Sequence, residues 1–401
     1  MAVNERLTAG GTGAARRGRL RMPALGVMIG LAAVGVSLLG SAAPSQAARA
    51  TSGRAAAGTA LPGGLTGVSA DSSTDAWAVG GPLILHWNGT AWSKFTDPVP
   101  TADLNAVKAI SASDAWAAGQ YCPTGACATL DTLILHWNGT AWSKVASPSP
   151  GGPDFLTGLS ASSATNAWAV GSSGAGYPTT LILHWNGTTW SRVSSPNPGG
   201  SNGDSLSAVT AASATSAWAA GDYTTSTGGR TMLLLRWNGT AWSQVTGPSL
   251  NGWSDLFGAS ATSSTSAWAA GENCVPGCYR GGVSYTLIEH WNGTSWSHVS
   301  SPNPGGSNGD WLNAVTARSA TDAWAVGAYG TSAGAATLIE HWNGTAWSQS
   351  ASPSPSSTLN ILTSVTATSG TSAWAVGTDR SSSNTEETLI LRWNGRTWSR
   401  A

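Results

Sequence analysis

The chain has 401 residues, of which only 9% are charged, with 19 basic and 19 acidic side chains, 51 Gly, 23 Trp and three Phe. So many turn formers and so few helix formers exclude a long-helix architecture, and the lack of a basic excess excludes an ordinary nucleic-acid binder.

In chain order, the first feature is an export signal. Arg16, Arg17, Arg19 and Arg21 precede an apolar run from Leu25 to Leu39, and small residues then lead to Ser45-Gln46-Ala47. This arrangement predicts a signal peptide over 1–47, cleaved after Ala47, and a secreted, extracellular product. The run is about 15 residues against the roughly 20 that span a bilayer, so a retained membrane anchor fits less well. Arg16-Arg17 also gives a weak hint of twin-arginine export. Removing 1–47 takes away five Arg and one Glu, leaving 14 basic and 18 acidic residues, a net charge of −4. In an oxidising compartment Cys122 with Cys127, and Cys274 with Cys278, read as two local disulfides rather than zinc sites, since no His stands near either pair in sequence. The Ala/Gly-rich stretch 48–64 reads as a flexible linker.

From Leu65 onward one unit recurs: a strand LxxV, a Ser/Ala-rich turn, the strand AWAVG or AWAAG, a variable loop, the strand TLILHW, the turn NGTxW, and a last strand WSxV running into a Pro-rich stretch. Its first Trp falls at Trp77, Trp116, Trp168, Trp218, Trp268, Trp324 and Trp374. Seven units of about 50 residues with four strand signals each predict an all-β fold, a seven-bladed β-propeller of four-stranded antiparallel blades over 65–401. The blades divide at about 65–100, 101–150, 151–198, 199–248, 249–304, 305–355 and 356–401. In AWAVG the period of two sends Trp and Val to one face and Ala to the other. Asn-Gly between two Trp reads as a hairpin turn in which both residues tolerate positive φ. Six of the seven Asn-Gly turns read Asn-Gly-Thr and so match the N-glycosylation pattern, Asn394-Gly395-Arg396 being the exception, but the turn alone explains their recurrence, and no glycans are expected there. The 21 repeated Trp read as core. Blade 7 ends three residues after Trp398, so its outer strand reads as stunted. Blades 1 and 7 are expected to meet side by side without a shared strand.

AWAVG, LILHW with NGTAW, and WSKVASPSP together resemble the kelch repeat of galactose-oxidase-type propellers, and the turn at Asn88 resembles the Asp-box of sialidase and photosystem-assembly-factor propellers. The kelch double Gly is Val-Gly or Ala-Gly here, and the spacing from Asn88 to Trp92 is one residue tighter than an Asp-box. The resemblance implies the propeller fold and, with strands lettered A to D from the axis outward, puts the B–C loops and D–A connections on one face. The copper ligands of galactose oxidase and the Arg cluster of sialidases have no counterparts: Arg230, Arg280 and Arg380 fall in three separate loops.

That face gathers the variation. The six Tyr, Tyr121, Tyr177, Tyr223, Tyr279, Tyr285 and Tyr329, lie in B–C loops, and the two Trp outside the repeat, Trp253 and Trp311, lie in D–A connections. Such a rim suits a sugar ring or a surface protein, with Trp311 the best single candidate; the alternative is that each aromatic packs its own loop. Asp103, Asp154, Asp204, Asp255 and Asp310 stand just before strand A of blades 2 to 6, with Gly63 and Asn360 in the equivalent places. They read either as acceptors for sugar hydroxyls or Ca²⁺ at the channel mouth, or as acceptors for backbone N–H in their own turns. Asp75, Asp114 and Asp322 have a turn role on the other face. His86, His136, His184, His290 and His341 occupy one position per blade and cannot converge on one metal, so no catalytic set emerges. The predicted function is an extracellular binding module for a glycan or surface protein, a monomer without cofactor and without membrane or nucleic-acid contact once the signal is removed. The alternatives are a polysaccharide lyase or hydrolase using the acidic mouth, and a structural scaffold.

Overall fold

The computed structural model describes residues 60–124, 127, 129–276, 282–380 and 383–401. The expected signal peptide, most of the expected linker, Tyr279, Arg280 and Cys278 lie outside the described residues. No helix among the described residues is long and apolar enough to cross a membrane.

Seven four-stranded antiparallel sheets form, each from consecutive strands, giving the expected seven-bladed propeller. Blade 1 holds β1 (Gly67–Ala70), β2 (Ala76–Gly80), β3 (Leu83–Trp87) and β4 (Trp92–Phe95). The other inner strands are β5 (Ala102–Ser111), β9 (Asp154–Ser163), β13 (Asp204–Ser213), β17 (Trp253–Ser263), β21 (Asp310–Ser319) and β25 (Asn360–Ser369). Each inner strand packs against the inner strands of both neighbouring blades, β25 against β1 included, so the ring is closed around one axis.

The alternation in AWAVG does what the period of two requires. Trp77 and Val79 join the core shared with blade 2, while Ala76 and Ala78 join the core shared with blade 7. The Gly that ends the motif has a separate cause. At Gly80, Gly119, Gly171, Gly221, Gly271, Gly327 and Gly377 a Cβ would overlap a carbonyl oxygen of the inner strand. In blades 2 to 7 a register shift follows or adjoins the paired inner-strand leucine, as between Leu104 and Ala106, so the backbone crosses the sheet face there.

The repeated Trp make a circular zipper. Trp77 lies 4.9 Å from Trp137 of blade 2 and meets Trp142 edge-on at 5.0 Å. The same triad recurs at every seam. It closes the ring where Trp374 of blade 7 meets Trp87 at 5.0 Å and Trp92 at 5.1 Å. Such edge-to-face pairs add roughly 0.5–1.5 kcal/mol each beyond area burial. Where Arg replaces the repeated His, the guanidinium takes its place over the rings, as Arg392 does 5.1 Å from both Trp87 and Trp374.

Two expectations need correction. The outer strand of blade 7, β28 (Trp398–Arg400), is three residues long, as are those of blades 3 to 6, so it is not stunted. The Asn-Gly turn also works differently. Only the Gly has positive φ, for example +92° at Gly139. The Asn instead caps the turn with its side chain: Asn138 Oδ1 accepts from Thr140 N, Thr140 Oγ1 and Ala141 N at 2.8–3.0 Å.

Blade 7 shares no strand with blade 1, but its seam has an added strap. Leu61 N donates to Thr388 Oγ1, Thr388 N donates to Leu61 O, and Gly63 N donates to Glu386 O, all at 2.8–2.9 Å. In blade 3 the same place on the third strand is held by the connector, with Thr180 bonded to Ser195, Pro196 and Asn197. Leu61–Gly63 therefore takes, on the third strand of blade 7, the place that the connector takes in blade 3.

Candidate functional site

The two ends of the ring differ in kind. On one, every A–B turn holds a Ser hydroxyl against the N–H two residues on, and the second Trp of every blade donates its indole N–H to a carbonyl of that turn. On the other, the B–C loops run from two residues, Gly81-Pro82, to nine, between Tyr121 and Asp131. The connector face is thus where the repeat leaves sequence free.

The five Asp of this face fall into two sets, one residue apart. Asp154, Asp204 and Asp310 stand two residues before the inner-strand leucine and are at most 1% exposed. Each accepts a backbone N–H from its own connector: Gly151 N at 3.3 Å, Gly199 N at 2.8 Å and Gly305 N at 2.7 Å. Asn360 does the same for Ser356 N in blade 7. These groups fasten turns, and burial raises the carboxyl pKa of Asp204 and Asp310.

Asp103 and Asp255 stand one residue before the leucine. In chain order that position is filled by Gly64, Asp103, Phe155, Ser205, Asp255, Trp311 and Ile361, followed each time by a buried Leu. Because the inner strands encircle the axis, this ring of positions surrounds one mouth of the central opening. Asp103 is half-buried and accepts from Gln120 Nε2 at 2.7 Å; burial raises its pKa and the Gln120 bond opposes that rise. Asp255 belongs to a charged group at the seam of blades 4 and 5. Arg230 reaches Asp222 Oδ2 at 2.5 Å and Asp255 Oδ1 at 3.2 Å, Ser205 donates to Asp222 at 3.0 Å, and Glu272 pairs in register with Asp255. Phe155, Ser205, Asp222, Arg230 and Glu272 were not singled out as candidates from the sequence. Register finds four of them: Phe155 and Ser205 stand before an inner leucine, and Asp222 and Glu272 are the cross-strand partners of Ser205 and Asp255, whereas Arg230, opposite Thr224, joins them only across the folded seam.

The structure separates the aromatics as well. Tyr121, Tyr223 and Tyr329 occupy one register position, two residues after the blade Gly, and pack on the core of the preceding seam. Lys144 Nζ also sits 3.4 Å from the Tyr121 ring centroid. Tyr177 and Tyr285 are instead 70% and 40% exposed. Trp253 is half-buried beside the B–C loop of blade 4, where a Cβ on Gly229 would lie 3.6 Å from its Nε1. Trp311 is half-buried in the mouth ring, and its indole N–H makes no hydrogen bond among the described residues. Cys122 and Cys127 form a disulfide of 2.02 Å. Cys274 is not a free thiol, and its expected partner lies outside the described residues.

Among the described residues no three His, Cys, Asp or Glu side chains are placed to hold a metal ion. The repeated His stay in their own blades: His136 and His341 bond Asp114 and Asp322 at 2.9 and 3.0 Å, His86 bonds Asp75, and His184 bonds Asn166 at 2.8 Å.

No family model and no curated protein matches the chain. Solved structures resemble it in fold. A GH74 xyloglucanase from Xanthomonas campestris aligns with a TM-score of 0.56 and 14% identity over 88% of this chain and 56% of that one, so the match spans little more than half of the enzyme. YCF48 from Cyanidioschyzon merolae aligns at 0.51 and 14%, over 84% of this chain and 99% of its own. The WD40 propeller domain of Doa1 aligns at 0.50 and 11%, over 88% and 99%.

Proposed function

We propose that this chain is an extracellular, monomeric binding propeller that takes a carbohydrate or a similar surface polymer on its connector face, without a cofactor of its own. The observation supporting this reading is the mouth ring. The scaffold demands a buried leucine at the next position in all seven blades, yet the ring itself carries carboxylate, hydroxyl, phenyl and indole groups that do not repeat from blade to blade.

Those groups suit a sugar. An indole at Trp311 offers a flat apolar face for ring C–H groups, and Asp103 and Asp255 accept from hydroxyls. The exposed Tyr177 and Tyr285 extend the same chemistry outward. Neutral glycans are preferred over uronate-rich ones, since the described charged groups of the mouth are mostly acidic. The scattered His, and the lack among the described residues of a nucleophile set beside a base, favour binding over catalysis.

A glycan array probed with the mature chain, and with Trp311→Ala and Tyr285→Ala, tests the reading. Binding to a restricted set of glycans that weakens about tenfold or more in Trp311→Ala is the expected result. Uniform silence across the array, or binding indifferent to both substitutions, overturns it.

A further inference from the structure

Seven seams built from one repeat allow each to be read against the others, and two of them stand apart. At five seams the side chain after the inner leucine bonds the leucine carbonyl of the next blade. Thr66 reaches Leu104 O at 3.0 Å, Asn105 reaches Leu156 O at 2.8 Å, and Thr157 reaches Leu206 O at 2.6 Å. Asn313 reaches Leu362 O at 2.7 Å, and Thr363 closes the ring onto Leu65 O at 2.6 Å. Blades 4 and 5 break the series. Ser207 makes no such bond, and Phe257 has no donor.

The same two seams differ in their cores. The third strand of five blades carries a leucine before the repeated His or Arg, at Leu85, Leu135, Leu183, Leu235 and Leu391, and each packs in the core of the preceding seam. In blade 5, within β19 (Val283–Trp291), that position is Glu289; in blade 6, within β23 (Ala335–Trp342), it is Glu340. By the period of two they share a face with Leu287 and Leu338, which pack at seams 4–5 and 5–6. Both glutamates are 0% exposed. Glu289 has only His298 Nδ1, 3.4 Å away, and neither carboxylate oxygen of Glu340 has a hydrogen-bond partner. A buried carboxyl without partners weakens a packed interface.

Farther along the inner strands, a second cross-seam bond is kept at both places: Ala261 N to Thr210 Oγ1 at 3.0 Å, and Ala317 N to Ser260 Oγ at 2.9 Å. The missing bond lies toward the connector face and the retained one toward the hairpin face. Across seam 4–5, near the connector end, the Arg230–Asp255 ion pair takes the place of the neutral hydrogen bond.

We infer that blade 5 is a movable sector of an otherwise fastened ring, its seams with blades 4 and 6 parting at the connector face while the hairpin face holds them. This sector carries Trp253, and Trp311 stands just across seam 5–6. Motion there widens or narrows the mouth ring between Asp255 and Trp311. Low local stability beside a binding surface is where such motion is ordinarily found.

Thiol labelling of the full chain tests this directly. Leu156, Leu206, Leu256, Leu312 and Leu362 are equivalent inner leucines, each at most 1% exposed, at seams 2–3, 3–4, 4–5, 5–6 and 6–7. Single Cys substitutions at each place a thiol in the seam, read by its rate of modification under native conditions. The expected result is modification at 256 and 312 at least about tenfold faster than at 156, 206 and 362. Adding Phe257→Thr, Glu289→Leu and Glu340→Leu is expected to slow both fast sites to the rate of the others. Equal rates at all five seams overturn the inference, as do fast sites that the three restoring substitutions leave unchanged. If a Cys variant fails to fold, amide exchange of the unsubstituted chain reads the same contrast between 253–258 and 154–158, and equal protection there overturns it too.

Discussion

The hairpin face and the connector face are made by the same strands and differ in what the scaffold asks of them. At the hairpin face each Asn of the Asn-Gly turn bonds the next turn residues, the Gly packs over the Thr or Ser of the A–B turn, and the second Trp bonds that turn's carbonyl. Each residue there holds two others, so a change in one blade costs what it costs in the rest. At the connector face Asp154, Asp204 and Asp310 carry that duty, and the adjoining ring position holds a neighbour only in single blades, as Asp103 does with Gln120 and Asp255 with Arg230. A face that repeats seven times is explained by folding alone; one that does not repeat is not dictated by folding, and it is there that a ligand is proposed.

The largest effect that sharpens this contrast is expected from Trp185→Ala. Trp185 stands at the hairpin face, 4.9 Å from Trp116, with its Nε1 3.1 Å from Ala164 O. Truncation removes a ring from the zipper and one turn fastening, and a loss of about 3–5 kcal/mol is expected in denaturant unfolding. A loss below about 1 kcal/mol would mean that the zipper is not what holds the seams.

Between the faces, Glu340 gives a prediction in pH. Burial, with the nearby Asp310 charge adding to it, pushes its carboxyl from 4.5 up to about 9. The folded state then keeps a proton that the unfolded state releases above about 4.5. The sign follows: its contribution to stability is full below that value and is lost as pH rises toward 9, by up to about 1.4 kcal/mol per pH unit. Asp97, pushed up to about 6 by burial, adds a slope of the same sign between about 4 and 6. Glu340→Gln keeps the shape and removes the proton, so unfolding free energies of the variant and the parent are expected to diverge from pH 6 to pH 8, with the variant more stable. Parallel curves would show that the carboxyl is solvated in the folded chain.

Much of this was legible in the sequence because the repeat states its constraints seven times. The blade count, the strand order, the split of Trp and Ala between two cores, and the Cys122–Cys127 bridge all follow from spacing and period. The turn mechanism was not legible, since Asn-Gly can bend a chain either through positive φ or through the Asn side chain, and only the backbone angles of the folded chain separate these. In the sequence the five Asp form one group, although a shift of one residue along a strand puts Asp103 and Asp255 on the opposite side from Asp154, Asp204 and Asp310. Arg230 meets Asp255 from another blade, a contact that sequence spacing does not encode. The strap at Leu61–Gly63 was hidden in a stretch that reads as linker because its bonds run mostly through the backbone.

The smallest expected effect comes from the hairpin turn itself and sets the scale for the other face. Asn138→Ala deletes one acceptor that serves three donors, and an exposed cap of this kind contributes about 1 kcal/mol. Trp311→Ala, although it deletes a far larger side chain, is expected to change stability by less than that, because no zipper contact and no hydrogen bond of Trp311 is lost among the described residues. Measured side by side in thermal unfolding, the small Asn is expected to matter more than the large Trp. The reverse order would place Trp311 in the scaffold and remove the main support for a ligand surface at the mouth ring.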